Sequence, residues 1–325
     1  MSGSAGRRST GVLVMAHGTP ERPEDLEAFY TRIRRGRPPS AEQLAELAAR
    51  YEAIGGTSPL ARRTRAQVEG LAADLEAAEP RRYDVAFGAK HTHPSIEDAA
   101  TALAAGQPDR VVGLVLTPHH STMGSGEYLE RAGAALGAVP FVAVEQWYDA
   151  PGFAALVGER VTAALARVGG RDDGDTVVLF TAHSLPQRIV AQGDPYPGQV
   201  EASAALVAAA AGVERWQVAW QSAGATPEPW LGPDLVEVIR GLPTAGARGV
   251  VVCPIGFVAD HLEVLYDVDY VAREAAEVMG LRFARTSSLN DDRRFIAVLA
   301  SVVQEAAGPS TPPGMAHTPP VDAGH

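Results

Sequence analysis

Five apolar runs in this 325-residue chain end in histidine: GVLVMA before His17, VAFGAK before His91, VVGLVLTP before His119 and His120, TVVLFTA before His183, and VVVCPIGFVAD before His261. Imidazole binds transition metals and exchanges protons near neutral pH, so a metal or proton-transfer site is the first chemistry this pattern points to. Short β-branched runs separated by Ala- and Leu-rich helical stretches read as parallel strands, and such sheets bind ligands beyond their carboxyl ends. Counting His93, seven of the nine histidines stand at such ends, which predicts that they converge.

Two segments of the second half sharpen this. In TAHSLP (181–186) a strand ends at His183, with Ser184 expected as a helix N-cap and Pro186 near the first turn, an arrangement that would preorganise the imidazole. An imidazole merely hydrogen-bonded to a neighbouring carbonyl would have the same local sequence. In CPIGFVADHLEVLYDVDY (253–270) an apolar strand passes into a helix carrying Glu263 and Asp267, whose i, i+4 spacing puts both carboxylates on one face. Like charges so placed repel, and a bound cation or an acquired proton relieves them. A solvated acidic helix face is the plainer alternative. His183 and Glu263 together offer one nitrogen and one carboxylate, a set that suits Fe²⁺ without holding it irretrievably.

The first half supplies basic and hydroxyl groups: Arg34, Arg35 and Arg37 in IRRGRPP, Arg50 and Tyr51 in ARYEAIGG, then Ser58, with Thr19 and Tyr128 on neighbouring loops. Guanidinium forks match carboxylates, so a cleft lined this way would attract a carboxylated ligand, although solvated helix arginines look alike in sequence. All but one of the 28 Lys and Arg residues are arginine; the exception is Lys90, in AKHTH directly after a strand.

The elements that must position these groups fall into two series. Strands are expected at about 11–16, 84–89, 111–117 and 141–145, then at 176–182, 216–220, 249–257 and 282–286, each set interleaved with helices. Two successive four-stranded βα series imply an α/β fold of two doubly wound, Rossmann-like domains whose parallel sheets face each other across a cleft. The expected units are 1–148, containing a long insertion at 18–82 with at least two amphipathic helices, and 149–307, joined near WYDAPG (147–152). Residues 308–325 are too rich in proline and polar groups to be expected to fold.

Composition narrows the chemistry. A net charge of −11 opposes nonspecific nucleic-acid binding, and no apolar stretch approaches the ~20 residues of a membrane span. With no cleavable signal, a cytoplasmic protein without an integral membrane segment is expected. The single cysteine, Cys253, excludes an internal disulfide and a Cys-ligated zinc or iron–sulfur centre, and reads as a small buried strand residue. MGSGEYL (123–129) has Leu129 where a dinucleotide fingerprint needs its third glycine, and no P-loop, G-x-S-x-G elbow or H-E-x-x-H occurs.

At this point the chain resembles the ferrochelatases, and within them the coproporphyrin ferrochelatases of Gram-positive bacteria. The resemblance runs from about residue 11 to 305 through LVMAHGTP, IRRGRPP, RYEAIGGTSPLA, FGAKHTHPSIEDA, TPHHST, TAHSLPQRI with GDPYP, WQSAGATPEPWLGPD and CPIGFVADHLEVLYDVD. It implies insertion of Fe²⁺ into a tetrapyrrole held between two Rossmann-like domains without a nucleotide, with coproporphyrin III the favoured ring and protoporphyrin IX the alternative. His183 and Glu263 match the family's iron-binding pair. Arg34, Arg50, Tyr51, Ser58 and Tyr128 match positions that hold the porphyrin and its propionates, and Lys90 matches a cleft-wall lysine. His17 stands where relatives have a tyrosine facing the metal from the opposite side. The acidic ladder of Glu263 and Asp267, a candidate relay for metal or protons, ends at Val271 where relatives continue with a carboxylate. The resemblance further implies Fe²⁺ as substrate, no tightly bound cofactor, no iron–sulfur cluster and a monomer. A chelatase for another metal and a non-catalytic haem or porphyrin carrier are the competing readings.

Overall fold

The structure is a computed structural model that describes residues 9–169, 174–224 and 226–309. The first sheet is built from β1 (Thr10–Ala16), β2 (Tyr83–Ala89), β3 (Arg110–Val115) and β4 (Phe141–Val144), and the second from β5 (Thr176–His183), β6 (Trp216–Gln221), β7 (Gly249–Cys253) and β8 (Arg282–Arg285). Both are wholly parallel, with the orders β2-β1-β3-β4 and β6-β5-β7-β8. Each chain path therefore reverses direction beside its first strand. The crevice at such a reversal is where open α/β sheets bind ligands, and His17 and His183 stand at the carboxyl ends of β1 and β5. All eight expected strands are present. β7 is shorter than its apolar run because Pro254, lacking an N–H, cannot extend the ladder, and the chain turns there through Ile255 N to Cys253 O and Phe257 N to Pro254 O bonds.

Three helices fill the insertion: α1 (Leu26–Ile33), α2 (Ala41–Ala53) and α3 (Leu60–Ala78). Ser40 starts α2 with a capping box shared with Gln43. In the first unit α4 (Ile96–Ala105) and α5 (Ser125–Leu136) follow β2 and β3. The second unit has α6 (Phe153–Arg167) before β5, then α7 (Arg188–Ala191), α8 (Tyr196–Ala211), α9 (Leu235–Gly241), a π-helical segment at Val264–Ala272 leading into α10 (Arg273–Val278), and α11 (Arg293–Ala307) after β8.

The two sheets share one continuous apolar cluster that includes Val12 and Leu114 of the first and Val178, Phe180 and Val251 of the second. Trp147, which opens the WYDAPG junction, and Phe153, which follows it, are buried in this cluster edge to face at 5.3 Å. Helix α11 follows the second sheet in sequence but packs on α3, β3 and β4, strapping the units together. Its apolar face supplies Phe295, Leu299 and Val303 to the shared cluster. The expected tail begins at Gly308, which ends α11, and from residue 310 it lies outside the described residues. Among the described residues no helix is long and apolar enough to cross a membrane.

Candidate metal and macrocycle site

His183 closes β5, and its neighbour Ser184 does not cap a helix as its type suggested. The Ser184 hydroxyl instead donates to the carbonyl of Leu231 at 2.8 Å, and α7 begins later, after Gln187. What orients the imidazole is a bond from Nδ1 to the Ser184 carbonyl, 2.5 Å. A carbonyl only accepts, so that nitrogen carries the proton and Nε2 is left to face Glu263 Oε1 at 3.5 Å. The other oxygen of Glu263 lies 3.6 Å from Nε2 of His261, whose Nδ1 rests on the Ala259 carbonyl at 3.0 Å. His17 repeats the device, with Nδ1 on the Gly18 carbonyl at 3.1 Å. Fixing Nδ1–H on an acceptor while presenting Nε2 is how proteins prepare histidines to bind metals.

The electrostatics follow from this packing. Burial alone would lower the basicity of His183, but the Glu263 carboxylate outweighs it and raises the pKa to about 9. Burial would raise Glu263, yet His183 and His261 hold it well below the usual carboxylate range. Asp267 goes the other way, raised by burial and by repulsion from Glu263, with a bond from Ser222 Oγ opposing. Two nearby carboxylates pushed apart in acidity mark groups suited to different proton tasks. The segment carrying Asp267 is a π-helix, entered at Glu263 and not an α-helix as the spacing suggested. Such wide turns recur at functional sites. The His183 and Glu263 side chains are 34% and 37% exposed, so the pair is reachable from solvent.

The opposite wall comes from the first unit. His17 is exposed, its ring 4.6 Å from that of His91, and Phe29 meets both edge-on. Desolvation between the walls lowers the basicity of His17, with Glu263 pulling upward and Lys90 and His261 downward, so its charge is coupled to that site. His91 is pushed down to about 3 by burial, then by His17 and Lys90. Both are neutral imidazoles at physiological pH. The insertion touches this region directly: Leu26, Phe29 and Tyr51 form a small apolar cluster with Leu262, the residue before Glu263. The insertion is therefore anchored beside the Glu263 carboxylate.

Other residues named from sequence are distributed around this centre. Tyr51 is buried, with its hydroxyl 3.1 Å from Thr19 Oγ1, and burial followed by Glu263 raises its pKa. Arg50 pairs with Glu46 at 2.8 Å and lies 5.3 Å over the ring of Tyr266 on the π-helix, so it spans the two walls. Arg34 stacks on Tyr30 at 5.6 Å and has no carboxylate partner among the described residues. Tyr128 is buried beneath Lys90, whose ammonium lies 4.9 Å over its ring. Ser58 is buried and accepts from Leu60 N, so its hydroxyl serves the start of α3.

The expected convergence of seven strand-end histidines holds for four: His17, His91, His183 and His261. The exposed His93 lies 3.5 Å from Asp98, and His120 is bonded to Ser125. His119 is 1% exposed, stacked on Tyr148, and neither ring nitrogen has a hydrogen-bond partner among the described residues. The strand-end pattern cannot tell these apart, because direction beyond a strand end depends on the following turn. His261 and His91 belong to no motif that assigns them a role, and their position after apolar runs is the one signal the sequence carries for them.

Burial pushes the pKa of His119 down to about 3. The unfolded chain takes up a proton at this residue near 6.5 while the folded protein refuses it until about 3, so His119 costs stability as pH falls through that interval and costs nothing above it. His119→Leu should therefore flatten the acid side of the stability curve, with a relative gain of about 2 kcal/mol on going from pH 7 to pH 5. Denaturant melts of both proteins at the two pH values measure this, and parallel curves would refute the account.

A sequence model of the Ferrochelatase family matches residues 9–307. The chain belongs to the ferrochelatase family. A coproporphyrin III ferrochelatase of Geobacillus kaustophilus is 45% identical over 302 residues, 91% of this chain and 96% of that one. One of Bacillus subtilis is 42% identical, covering 93% and 99%. Among solved structures, a multi-domain protein of Deinococcus radiodurans, described as structurally similar to chelatases, aligns with a TM-score of 0.51 at 12% identity, covering 92% of this chain and 55% of that longer one. That likeness shows the chelatase-like fold. As a ferrochelatase-family chain the protein is a metal chelatase enzyme.

Proposed function

We propose that this enzyme inserts Fe²⁺ into coproporphyrin III, giving Fe-coproporphyrin for haem biosynthesis. The observation that carries the reading is the His183–Glu263–His261 array facing the neutral His17 and His91. Relatives at 42–45% identity over nearly their whole length act on this ring by name. The reaction exchanges two pyrrole N–H protons for one dication, so the site must surrender a metal and accept protons. Fe²⁺ arriving between His183 Nε2 and Glu263 displaces the proton they share. When the iron passes into the ring, both groups are left as bases for the pyrrole protons. Asp267 and Ser222, one step outward, relay protons or metal.

The macrocycle is held by contacts from the first unit: Arg34 and Arg50 for propionates, Tyr51, Tyr128, Ser58 and Lys90 along the walls, and His17 toward the metal from the opposite side. Clamping by the insertion offsets the strain of bending the ring so that its nitrogen lone pairs are exposed. The protein needs no tightly bound cofactor. A one-chain iron–sulfur cluster would demand several thiolates, and the sequence holds only Cys253, buried at the end of β7 with its thiol pushed up to about 12 by burial. We propose a cytoplasmic monomer that engages neither nucleic acid nor membrane.

The decisive experiment presents coproporphyrin III and protoporphyrin IX separately, each with Fe²⁺, under anaerobic conditions. Faster metallation of coproporphyrin III is expected. Preference for protoporphyrin IX would replace the substrate assignment, and stoichiometric binding of either ring without turnover would make the protein a carrier.

A further inference from the structure

We infer that Glu127 is a specificity-determining residue: its carboxylate occupies Lys90, and a carboxylate of the substrate must displace it. The inference rests on the reading that the ligand is a carboxylated macrocycle. Lys90 follows β2 on the edge that carries His17, for its amide donates to the Ala16 carbonyl and the next amide, of His91, donates to the His17 carbonyl. His91, the next residue, packs its ring 4.6 Å from that of His17, so Lys90 stands beside the wall against which the ring would lie. The ammonium is 2.9 Å from Glu127 Oε2 and 4.9 Å over the Tyr128 ring.

The two partners are not equivalent. Lys90 is 12% exposed and held against an aromatic face, whereas Glu127 is 38% exposed in the first turn of α5. Released from Lys90, the glutamate would remain solvated and stabilised by the helix N-terminus. The ammonium, only 12% exposed, would keep the Tyr128 face but little water. A substrate carboxylate reaching Lys90 therefore exchanges one carboxylate for another, and the binding it gains is only the difference. This weakens the hold on carboxylated rings and eases their departure after metallation. A ring without a carboxylate at that point leaves the pair intact and gains nothing from it. In a chain of net charge −11, an ammonium shared in this way strongly affects how an anionic ring is received.

Binding of coproporphyrin III and of protoporphyrin IX, followed by porphyrin fluorescence, is compared in the wild type, Glu127→Gln, Lys90→Met and the double variant. Glu127→Gln should tighten coproporphyrin III roughly two- to fivefold, the range of an exposed ion pair, and make its binding more salt-sensitive. The gain should vanish in the Lys90→Met background. Unchanged affinity in Glu127→Gln overturns the inference, as does an equal gain without Lys90, which would mark Glu127 as a general repulsive charge. Failure of the wild type to bind either ring is a different result: it removes the macrocycle reading itself.

Discussion

Iron insertion should fall by roughly 10²- to 10⁴-fold in His183→Ala, the span usually lost with a positioned acid–base group, while porphyrin affinity changes little. The separation follows from geometry. His183 contributes its Nε2 to Glu263 and its Nδ1 to a backbone carbonyl. The groups assigned to hold the ring lie on the other wall, in the insertion and after β2 and β3. Deleting the imidazole also leaves Glu263 with only His261 beside it, so its carboxyl should rise from its depressed position. Porphyrin binding by fluorescence and metallation by absorbance, measured on the same preparation, test the point. A variant that metallates at the wild-type rate would remove His183 from the chemistry, and one that also loses porphyrin would make its role structural.

Glu263→Gln should have a comparable effect on turnover for a different reason. The side chain keeps its size but no longer supplies the negative charge between His183 and His261. Burial already works to lower His183, and Glu263 is what lifts it to about 9. Without that charge the imidazole should titrate below its ordinary 6.5. A raised histidine pKa stabilises the fold fully below 6.5 and loses that contribution as pH climbs through about 9, while the depressed Glu263 contributes above 4.5 and loses it as pH falls through its folded value. The pair therefore acts at full strength from about pH 4.5 to 6.5, and the variant should lose stability most in that window. NMR titration of the His183 ring in both proteins reads the shift directly. A pKa that stays near 9 in Glu263→Gln would show that some other group raises it, and the proposed shared proton would have to be abandoned.

Much of this enzyme can be read along the chain because its signals are local. Eight β-branched runs between helical stretches announce two parallel sheets, and strand-end histidines follow from the same pattern, since hydrophobic periodicity is a property of neighbours. His183 and Glu263 also stood out, one after an apolar strand and the other heading an acidic helix. The family resemblance implies their pairing, but nothing local to either segment brings them together: 80 positions separate them, and the pairing of β5 with β7 closes that distance. Nor could the pattern separate His119, buried against Tyr148, from His17, open to the cleft: both follow apolar strands, and the turn beyond each one sets its direction. The partners of the charged groups belong to the same class. Lys90 meets Glu127, and Glu263 meets His261 as well as His183, because side chains from different elements share one small volume of low dielectric. There proximity in space, unlike order along the backbone, governs which proton is held and which is given up.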